Sequence, residues 1–542
     1  MLRRIASAFV VRPAPLVREA LLSAAAAASL AAVVLWFGPP GTDFAAHVYQ
    51  RAVFLEHGFV LWNNFWYAGR YSFVTYSLLY YPLAALIGIK VLAVASIAAA
   101  ALAFAMVLGR EWGPAARLST RSFAVVWAGI VLSAAFPFAL GAALALLALW
   151  ALQAGHRLRF AALAVLALAA SPLAFFLLVV LLLGIGIERR SSARIAVPIL
   201  VVALAGLAEL MLRRLFPGAG RYPFHLIDLG AIGLFCGYGV VLTRGVERAR
   251  SIRWILVVYF FACVIAFAVP SELGANVERF RYAAPPVALL LASLRGWRPI
   301  WLVLPALALT ISWNVTPLAK SLAGGERDVA AAPAYWSPVI SFLHRHLPAN
   351  YRVEAVDTIG HWPAAYLPEA GIPLVRGWYR QADFPGNAIL YGRFGTRAYV
   401  SWLRALGVRY IVRTDSPPDY SAQAEAQLLG SGRSRLTVVF RSAHETVYRV
   451  PHAEPLVTGP APARVTSLGE SDIRLFVSAP GRYRVAVRYS PYWAAEQACV
   501  DGGEDGMIRL AAKRRGPIDL RFKLGTAKML ETLVGEGGRR CS

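Results

Sequence analysis

The sequence is short of charged residues. Only 16% of its 542 residues are Asp, Glu, Lys or Arg, whereas 58% are hydrophobic and the mean hydropathy is +0.54. A soluble chain of this length would carry roughly a quarter charged residues, so much of this surface must face something other than water. The composition therefore argues against an ordinary soluble enzyme and indicates a chain that lies largely in a membrane.

Acidic residues are scarcer than basic ones. The chain has 30 Asp and Glu against 55 Lys and Arg, which gives a formal net charge of +25. In a soluble protein such basicity would suggest nucleic acid as the partner. Here the arginines lie largely in short loops between apolar runs, where positive charge fixes topology and meets anionic lipid headgroups. The expected partner is therefore the lipid bilayer, and no nucleic acid is expected.

Cysteine is also scarce. Of the 4 cysteines, Cys236 and Cys263 lie in apolar runs and are expected to be buried. Cys499 and Cys541 fall in the polar C-terminal region. A disulfide between them is possible, but the sequence does not decide it because it does not show how closely the two residues approach. No CxxC or Cys/His cluster suggests a zinc site, so no metal site is predicted. The sequence does not identify a cofactor. It requires no divalent cation and does not exclude one.

Apolar runs dominate the sequence before about residue 317. The first, Leu21 to Phe37, follows the basic segment MLRRIASAFVVR, which the positive-inside rule places in the cytoplasm. This run is longer than the apolar part of a usual signal peptide, so an uncleaved helix is expected. Following the basic loops from there predicts about eleven spans, with the N-terminus cytoplasmic and the C-terminal region extracytoplasmic.

Two of the apolar runs are too long for one span each. Phe123 to Leu152 and Phe160 to Ile187 have near thirty residues, where one span needs about twenty. We interpret each as a hairpin of short helices that meet at Pro137 and Pro172, which keeps the basic loop AGHRLRF inside. If each run is a single helix, the count falls to about nine, and the C-terminal region is still outside.

The pattern changes after about Lys320. Helix and strand patterns alternate up to residue 430, which predicts a small α/β unit. Beyond it, apolar and polar residues alternate between Gly, Pro and Asp turns, which is typical of an antiparallel β-sandwich. The predicted domains are a transmembrane domain over 1–317 with its first outer loop at 38–89, an extracytoplasmic α/β domain over 318–430, and a β-sandwich over 431–542.

The first outer loop carries the residues best suited to catalysis. Asp43 directly follows the first span, and His47 lies four residues later, so both face the same way if the segment is helical. Glu56 is the next carboxylate. An acid at the membrane surface could deprotonate an acceptor hydroxyl as a general base. Asp43 could equally be the N-cap of a short helix, and His47 could be structural.

Aromatic residues and an arginine follow in the same loop. Trp62, Trp66 and Tyr67 are candidates for stacking on the flat faces of a sugar, although Trp and Tyr gather at membrane interfaces in any case. Arg70 is a candidate to bind the phosphate of a lipid-linked donor. Arg279 and Arg281, in ANVERFRYAAPP, are further candidates for this role, the alternative being that they anchor a helix end at the interface.

The motifs of this loop carry a resemblance to a known family. Asp-Phe-x-x-His-x-x-x-Arg, then Phe-Leu-x-x-Gly, then Leu-Trp-Asn-x-x-Trp-Tyr-x-Gly resembles the first outer loop of GT-C fold membrane glycosyltransferases. The nearest resemblance is to YfhO-like proteins and to a membrane family labelled as 6-pyruvoyl-tetrahydropterin synthase-related. The tail stretch YSPYWAAEQACVDGGEDG is similar to the tail sandwich of YfhO-like proteins.

The resemblance implies a polyprenyl-phosphate sugar donor and a general base in the first outer loop, a position that Asp43 matches. The family pattern often has a second acid close by. Here the nearest is Glu56, 13 residues further on, and this departure counts against a mechanism with paired carboxylates.

Three functions follow from these features. The leading hypothesis is a bacterial plasma-membrane glycosyltransferase, hexosyl or pentosyl, that acts on a cell-envelope glycan or lipid at the outer face. A transporter or flippase is the second, because proline-broken helices are typical of transporters. Against it, no clear ionisable residue lies within a span apart from Glu209, near one end. The third is a non-catalytic envelope scaffold that binds glycan through its sandwich.

Overall fold

The computed structural model describes residues 13–189, 192–218, 220–325, 328–384, 386–535 and 541. The basic N-terminal segment MLRRIASAFVVR, predicted to be cytoplasmic, lies outside these residues. The chain forms two compact units. The first consists of Met1–Gly41, Ser77–Glu209 and Arg221–Ala323, and the second of Thr42–Tyr76, Leu210–Gly220 and Gly324–Ser542.

Eighteen α-helices and fourteen strands are present in the described residues. In chain order the helices are α1 Pro13–Phe37, α2 Phe44–His57, α3 Tyr80–Ile87, α4 Ile89–Trp112, α5 Arg117–Ala128, α6 Phe136–Gln153, α7 Arg157–Ala170, α8 Pro172–Arg189, α9 Ser192–Leu215, α10 Leu226–Thr243, α11 Arg250–Ala268, α12 Ala284–Leu294, α13 Ile300–Gly325, α14 Pro333–His346, α15 Pro363–Glu369, α16 Thr396–Ala405, α17 Gln423–Gly430 and α18 Thr526–Val534. The strands are β1 Trp62–Asn63, β2 Arg70–Tyr71, β3 Arg352–Ala355, β4 Val408–Thr414, β5 Thr437–Arg441, β6 Glu445–Arg449, β7 Val457–Thr458, β8 Ala463–Leu468, β9 Asp472–Val477, β10 Gly481–Arg488, β11 Trp493–Ala494, β12 Ala498–Gly502, β13 Met507–Ala512 and β14 Gly516–Phe522.

The protein is a multi-pass membrane protein. Within the described residues, 7 helical segments are long and apolar enough to cross a membrane, and Pro172–Glu188 is a shorter apolar helix. The seven are Pro15–Phe37, Ile89–Leu132, Phe136–Gln153, Ala196–Leu215, Leu226–Thr243, Glu247–Ala268 and Ile300–Gly325. The predicted counts of eleven or nine spans, and the orientation of the chain, remain predictions.

Both long apolar runs are broken where the sequence predicts. Helix α5 ends at Ala128, and α6 begins at Phe136 with Pro137 in its first turn. Helix α7 ends at Ala170, and α8 begins at Pro172. Proline is favoured in the first turn of a helix because its missing N–H would have no helical partner there. The 18 residues of α6 reach about 27 Å, so this helix is longer than the expected half-helix.

The second unit contains a mixed four-stranded sheet in the order β3-β4-β6-β5. Strand β3 pairs parallel with β4, and the other pairs are antiparallel. Residues 437–449 were expected to begin the sandwich, and this expectation is wrong because β5 and β6 extend the α/β sheet. The period-2 pattern of a strand shows which face is buried and does not show which sheet the strand joins.

Two antiparallel four-stranded sheets follow, in the orders β12-β13-β10-β7 and β11-β14-β9-β8. They share one apolar core, as the predicted sandwich requires, with Val485 and Ile508 from one sheet and Leu475 and Ile518 from the other. Cys499 and Cys541 form a disulfide, whereas Cys236 and Cys263 are buried free thiols.

The loop segment Thr42–Tyr76 packs within the second unit. Its strands β1 and β2 pair with each other, and Trp62 lies in the core of the sandwich. The backbone N–H of Leu374 donates to Phe65 O at 2.9 Å, and that of Ala68 donates to Leu374 O at 3.4 Å. These contacts place a predicted outer loop against residues three hundred positions further along the chain.

Candidate functional site

Asp43 is held by a tryptophan from the C-terminal region. It occupies the N-cap position of α2 but forms no side-chain cap hydrogen bond. Its Oδ1 accepts a hydrogen bond from Trp378 Nε1 at 2.8 Å, and the residue is partly exposed. The carboxylate is therefore oriented by the indole and not by the helix end, which favours the functional interpretation of Asp43 over the capping one.

Trp378 belongs to an aromatic cluster, which we define as Tyr76, Trp378 and Tyr379. The ring centroids lie 5.3 Å apart for Tyr76 and Trp378, 5.1 Å for Tyr76 and Tyr379, and 4.5 Å for Trp378 and Tyr379. All three pairs are edge-to-face, the arrangement that ring quadrupoles favour. Packing on two neighbours limits the rotamers of the Trp378 indole, and hence the position of Asp43 Oδ1.

Two more predicted site residues lie beside the aromatic cluster. The imidazole of His47 is fully buried, with its centroid 5.9 Å from that of Trp378. The guanidinium of Arg70 lies 3.6 Å from the Tyr379 ring centroid, and its Nη2 donates to Thr75 Oγ1 at 3.1 Å. The structure thus brings Asp43, His47 and Arg70 around one set of rings. The buried His47 packs beside Trp378 and presents no exposed surface to a ligand.

Glu56 lies away from this cluster. Asp43 precedes the first residue of α2 and Glu56 is in its last turn, which separates their Cα atoms by about 20 Å. The Glu56 side chain is 75% exposed and lies 3.8 Å from His57 Nε2. The two carboxylates are therefore not brought together, and the structure offers no support for their acting as a pair.

The three aromatic residues predicted to stack on sugar are packing residues here. Trp62 is 1% exposed and stacks on Phe522 at 5.3 Å in the sandwich core. Trp66 is fully buried and donates from Nε1 to Ala364 O at 2.8 Å, and Tyr67 is buried as well. Because their faces are covered by protein, they present no surface to a ligand. The aromatic cluster occupies the place beside Asp43 that these residues were expected to fill.

A buried ion pair anchors the segment that carries Trp378. Arg376 Nη2 lies 2.8 Å from Asp383 Oδ2 and donates to Ser421 Oγ at 2.9 Å. Tyr391 also donates to Asp383 Oδ2, at 2.8 Å. Both members of the pair are almost fully buried, so each depends on the other to offset the loss of hydration. The backbone two residues before Trp378 is therefore held rigidly.

His361 forms a second buried polar contact in the same region. Its Nδ1 lies 2.7 Å from Asp357 Oδ2, and Arg380 forms an ion pair with Asp419 nearby. Burial by itself lowers the pKa of His361, but the Asp357 carboxylate outweighs it, so the pKa is raised. These polar contacts, all within the second unit, hold the segment around His361 in place.

Helix α2 is tied to the sandwich through Tyr49. The Tyr49 hydroxyl donates to Glu470 Oε1 at 3.3 Å and accepts a hydrogen bond from Asn63 Nδ2 at 3.0 Å. Burial raises the pKa of Glu470 to about 8, and the negative charge of Glu56 adds to this shift. Glu470, which contacts Tyr49 of α2, is therefore largely protonated at neutral pH.

Glu470→Gln is expected to become increasingly stabilising as the pH rises. The raised pKa means that the folded chain keeps this proton while the unfolded chain, with an ordinary pKa of 4.5, loses it. The stabilising contribution of wild-type Glu470 to the free energy of unfolding is thus fully present below about pH 4 and is lost as the pH approaches 8. Between pH 5 and pH 8 the variant should gain roughly 2–4 kcal/mol over wild type in unfolding free energy.

Thermal and denaturant unfolding at the two pH values would measure this gain. The exposed Glu496 provides the matched control, since an exposed substitution such as Glu496→Gln usually changes the unfolding free energy by less than about 0.5 kcal/mol. A difference for Glu470→Gln that does not change with pH would show that Glu470 is ionised in the folded chain.

The first unit contains an elongated apolar cavity of about 250 Å³. Its lining follows α6 from Phe138 to Gln153, a length of about 22 Å along the helix. Arg279 also lines the cavity, with its guanidinium 5.3 Å from the Phe138 ring centroid. Arg281 is not in the lining and lies 5.6 Å from the Tyr282 ring centroid. Of the two arginines, Arg279 is the one placed to meet a ligand in this cavity.

The part of the chain that the structure describes contains no group of three or more His, Cys, Asp or Glu residues arranged to hold a metal ion. Tyr76, Trp378 and Tyr379 are the site residues that sequence reasoning did not single out. No local pattern connects position 378 with position 43, because their contact depends on the packing of α2 against α15.

No protein-family model matches the chain, and no curated protein matches it in sequence. Solved structures of the arabinofuranosyltransferase AftD from Mycobacteria are similar to it, with TM-score 0.47 in two of them. One shows 17% identity over 82% of this chain and 41% of that chain, and the other, a mutant, 15% over 93% and 60%. The chain thus spans less than two thirds of these AftD chains.

The archaeal oligosaccharyltransferase AglB from Archaeoglobus fulgidus, in complex with an inhibitory peptide and a dolichol-phosphate, is also similar. Its TM-score is 0.32, with 13% identity over 73% of this chain and 69% of that chain. These neighbours are named as glycosyl-transferring enzymes, and the resemblance to YfhO-like proteins remains a prediction. Because all these TM-scores are below 0.5, a function for this chain has to rest on its own residues.

Proposed function

We propose that the protein is a membrane glycosyltransferase that moves a sugar from a polyprenyl-phosphate donor to a hydroxyl of a cell-envelope glycan or lipid, at the outer face of a bacterial plasma membrane. One observation carries the proposal, namely the partly exposed Asp43 carboxylate, whose Oδ1 is held 2.8 Å from Trp378 Nε1 beside an aromatic cluster. A fixed acid next to aromatic faces suits deprotonation of a sugar hydroxyl.

Asp43 acts as the general base in this proposal. Trp378 keeps Oδ1 in place, and Oδ2 accepts the proton of the acceptor hydroxyl. The acceptor oxygen forms a bond to the anomeric carbon as the bond from that carbon to the phosphate oxygen breaks. The bonding electrons leave with the phosphate, and the proton stays on Asp43 until it is released to water. The partly exposed ring of Tyr76 is the surface on which a sugar can stack.

The donor lipid occupies the cavity of the first unit. A polyprenyl chain is apolar and extended, and the cavity along α6 is lined mainly by Leu, Ala, Val, Ile and Phe side chains. Arg279 binds the donor phosphate through paired N–H groups, which match the geometry of phosphate oxygens. The same arginine then stabilises the negative charge that collects on the leaving phosphate.

Arg279→Gln should raise the KM for the donor by about 10–100-fold, because a hydrogen bond to a charged group contributes roughly 1.5–3 kcal/mol. The KM for the acceptor should change much less. Initial rates of transfer with each substrate varied in turn would measure both constants. The exposed Arg159 serves as control, and an equal KM for the donor in Arg279→Gln and Arg159→Gln would remove Arg279 from the donor site.

The function itself is tested with the purified protein in lipid nanodiscs. Polyprenyl-phosphate sugars extracted from the producing cells are added together with envelope glycan from cells that lack the protein. The proposal predicts release of free polyprenyl phosphate and incorporation of one sugar into the glycan. If a folded preparation consumes no donor in the extract, and cells with and without the protein have identical envelope glycans, the proposed function is wrong.

A further inference from the structure

Arg352, the first residue of β3, is a fully buried arginine without an acidic partner. Its Nη1 donates to Leu406 O at 3.0 Å and also to Ala486 O. Its Nε and Nη2 are buried and form no hydrogen bond, and no ion pair of Arg352 is present within the described residues. Guanidinium groups remain protonated in proteins, so this site holds an uncompensated positive charge.

More arginines lie on the adjacent face of the sandwich. In the pairing of β10 with β13, Arg484 is opposite Arg509 and Arg488 is opposite Met507. Residues 507 and 509 are two positions apart on one strand, so Arg484, Arg488 and Arg509 share one face of the sheet. Arg352 contacts the same strand through Ala486 O. Like charges that lie directly opposite each other destabilise a sheet unless something compensates them.

The acidic groups on this face do not neutralise it. Asp505 lies 2.7 Å from Arg484 Nε and 3.1 Å from Arg509 Nη2, so both arginines share one carboxylate. Asp501 accepts hydrogen bonds from the backbone N–H groups of Gly502 and Cys541. The five arginines here, which include Arg482, therefore exceed the two aspartates.

Burial makes this excess of positive charge energetically costly. Loss of hydration, together with repulsion from Arg488 and Arg484, lowers the pKa of Arg352. The pKa of Arg488 is also lowered by burial. A buried charge without a partner costs several kcal/mol, and an anion among the guanidinium groups would offset much of this cost.

A cleft opens on the same face. It has a volume of about 490 Å³ and is lined by Arg482, Arg484, Arg509, Asp501 and the ends of the neighbouring strands. Arg509 Nη1 is buried beside it with no hydrogen-bond partner. The cleft is large enough for a phosphate group with part of the molecule that carries it.

We propose that this cleft binds the phosphate group of an anionic ligand, with Arg482, Arg484 and Arg509 around the group and with Arg352 and Arg488 as buried charges that add to the positive potential nearby. Planar guanidinium forks match phosphate oxygens better than a lysine ammonium would, and every cation here is an arginine. The phosphate can come from a phosphate-bearing glycan or from a lipid headgroup. This inference stands independently of the proposed glycosyltransferase activity.

The test is the thermal stability of the full chain in nanodiscs of neutral phosphatidylcholine, measured as inorganic phosphate is added. A ligand that binds the folded state raises the Tm, by about 5 °C at a hundredfold excess over its Kd. We expect this shift for wild type and less than half of it for Arg509→Gln, which removes an arginine that lines the cleft. Arg474→Gln, which changes an exposed arginine on the other sheet, should keep the full shift.

Two further arms identify the source of the phosphate. Glycerol phosphate in solution imitates a glycan phosphate, and phosphatidylglycerol in the nanodisc presents a lipid phosphate. The phosphate source is identified by the probe that raises the Tm of wild type but not that of Arg509→Gln. If no phosphate probe shifts the wild-type Tm, or if Arg509→Gln and wild type shift equally, the proposal is overturned.

Discussion

Asp43→Asn should reduce the rate of sugar transfer by about 10²–10⁴-fold, the contribution usual for a positioned general base. The amide keeps the size of the side chain, and its oxygen can still accept the hydrogen bond from Trp378 Nε1. What it cannot do is take up the proton of the acceptor hydroxyl. The loss should therefore appear in kcat, with the KM for the donor changed little, in the transfer assay with purified protein.

A matched aspartate separates chemistry from folding in this experiment. Asp519 lies on β14, 3.9 Å from Arg474, and is partly exposed. Asp519→Asn should transfer sugar at the wild-type rate. The Asp43→Asn protein should also keep the wild-type Tm, because Asp43 contributes no helix cap. Transfer by Asp43→Asn at the rate of Asp519→Asn would show that another group is the base.

Asp383→Ala should be strongly destabilising, by about 3–5 kcal/mol. The substitution leaves the Arg376 guanidinium buried with Ser421 Oγ and without its carboxylate. Tyr391 loses its acceptor as well. We expect a fall in Tm of more than about 6 °C, measured in the same nanodiscs as wild type.

The exposed pair of Lys528 and Glu531, 3.1 Å apart, is the comparison for this change. Surface ion pairs contribute about 0–1 kcal/mol, so Glu531→Ala should leave the Tm within about 2 °C of wild type. Equal effects of the two substitutions would mean that the environment of Asp383 is hydrated and that Arg376 does not depend on it.

Local patterns were enough to predict that the chain crosses a membrane several times and that the long apolar runs are broken, whereas the number of spans remains a prediction. A stretch of apolar residues predicts a span wherever it lies in the fold, and Pro137 and Pro172 interrupt a helix because proline has no N–H to donate. The sandwich was likewise visible in its alternation. The assignment of β5 and β6 failed because both possible sheets bury alternate residues, and the choice depends on contacts with β4.

The candidate site was predictable in part. Asp43 could be selected because acidic residues are scarce in this chain, and Arg70 because it follows in the same predicted outer loop. Trp62 and Trp66 were misassigned, since an aromatic side chain suits a sugar and a protein core equally well and only burial separates the two. Trp378 could not be connected with Asp43, because 335 residues separate them along the chain.

The central claim, that Asp43 serves as the base of a sugar transfer, is tested most directly in cells. Lipid-linked sugars and envelope glycans are compared between cells with wild-type protein and cells with Asp43→Ala, at matched protein levels. The account predicts that the variant lacks one glycan substituent and accumulates the polyprenyl-phosphate sugar that supplies it. An unchanged glycan profile without accumulation of donor, at normal protein levels, would contradict it.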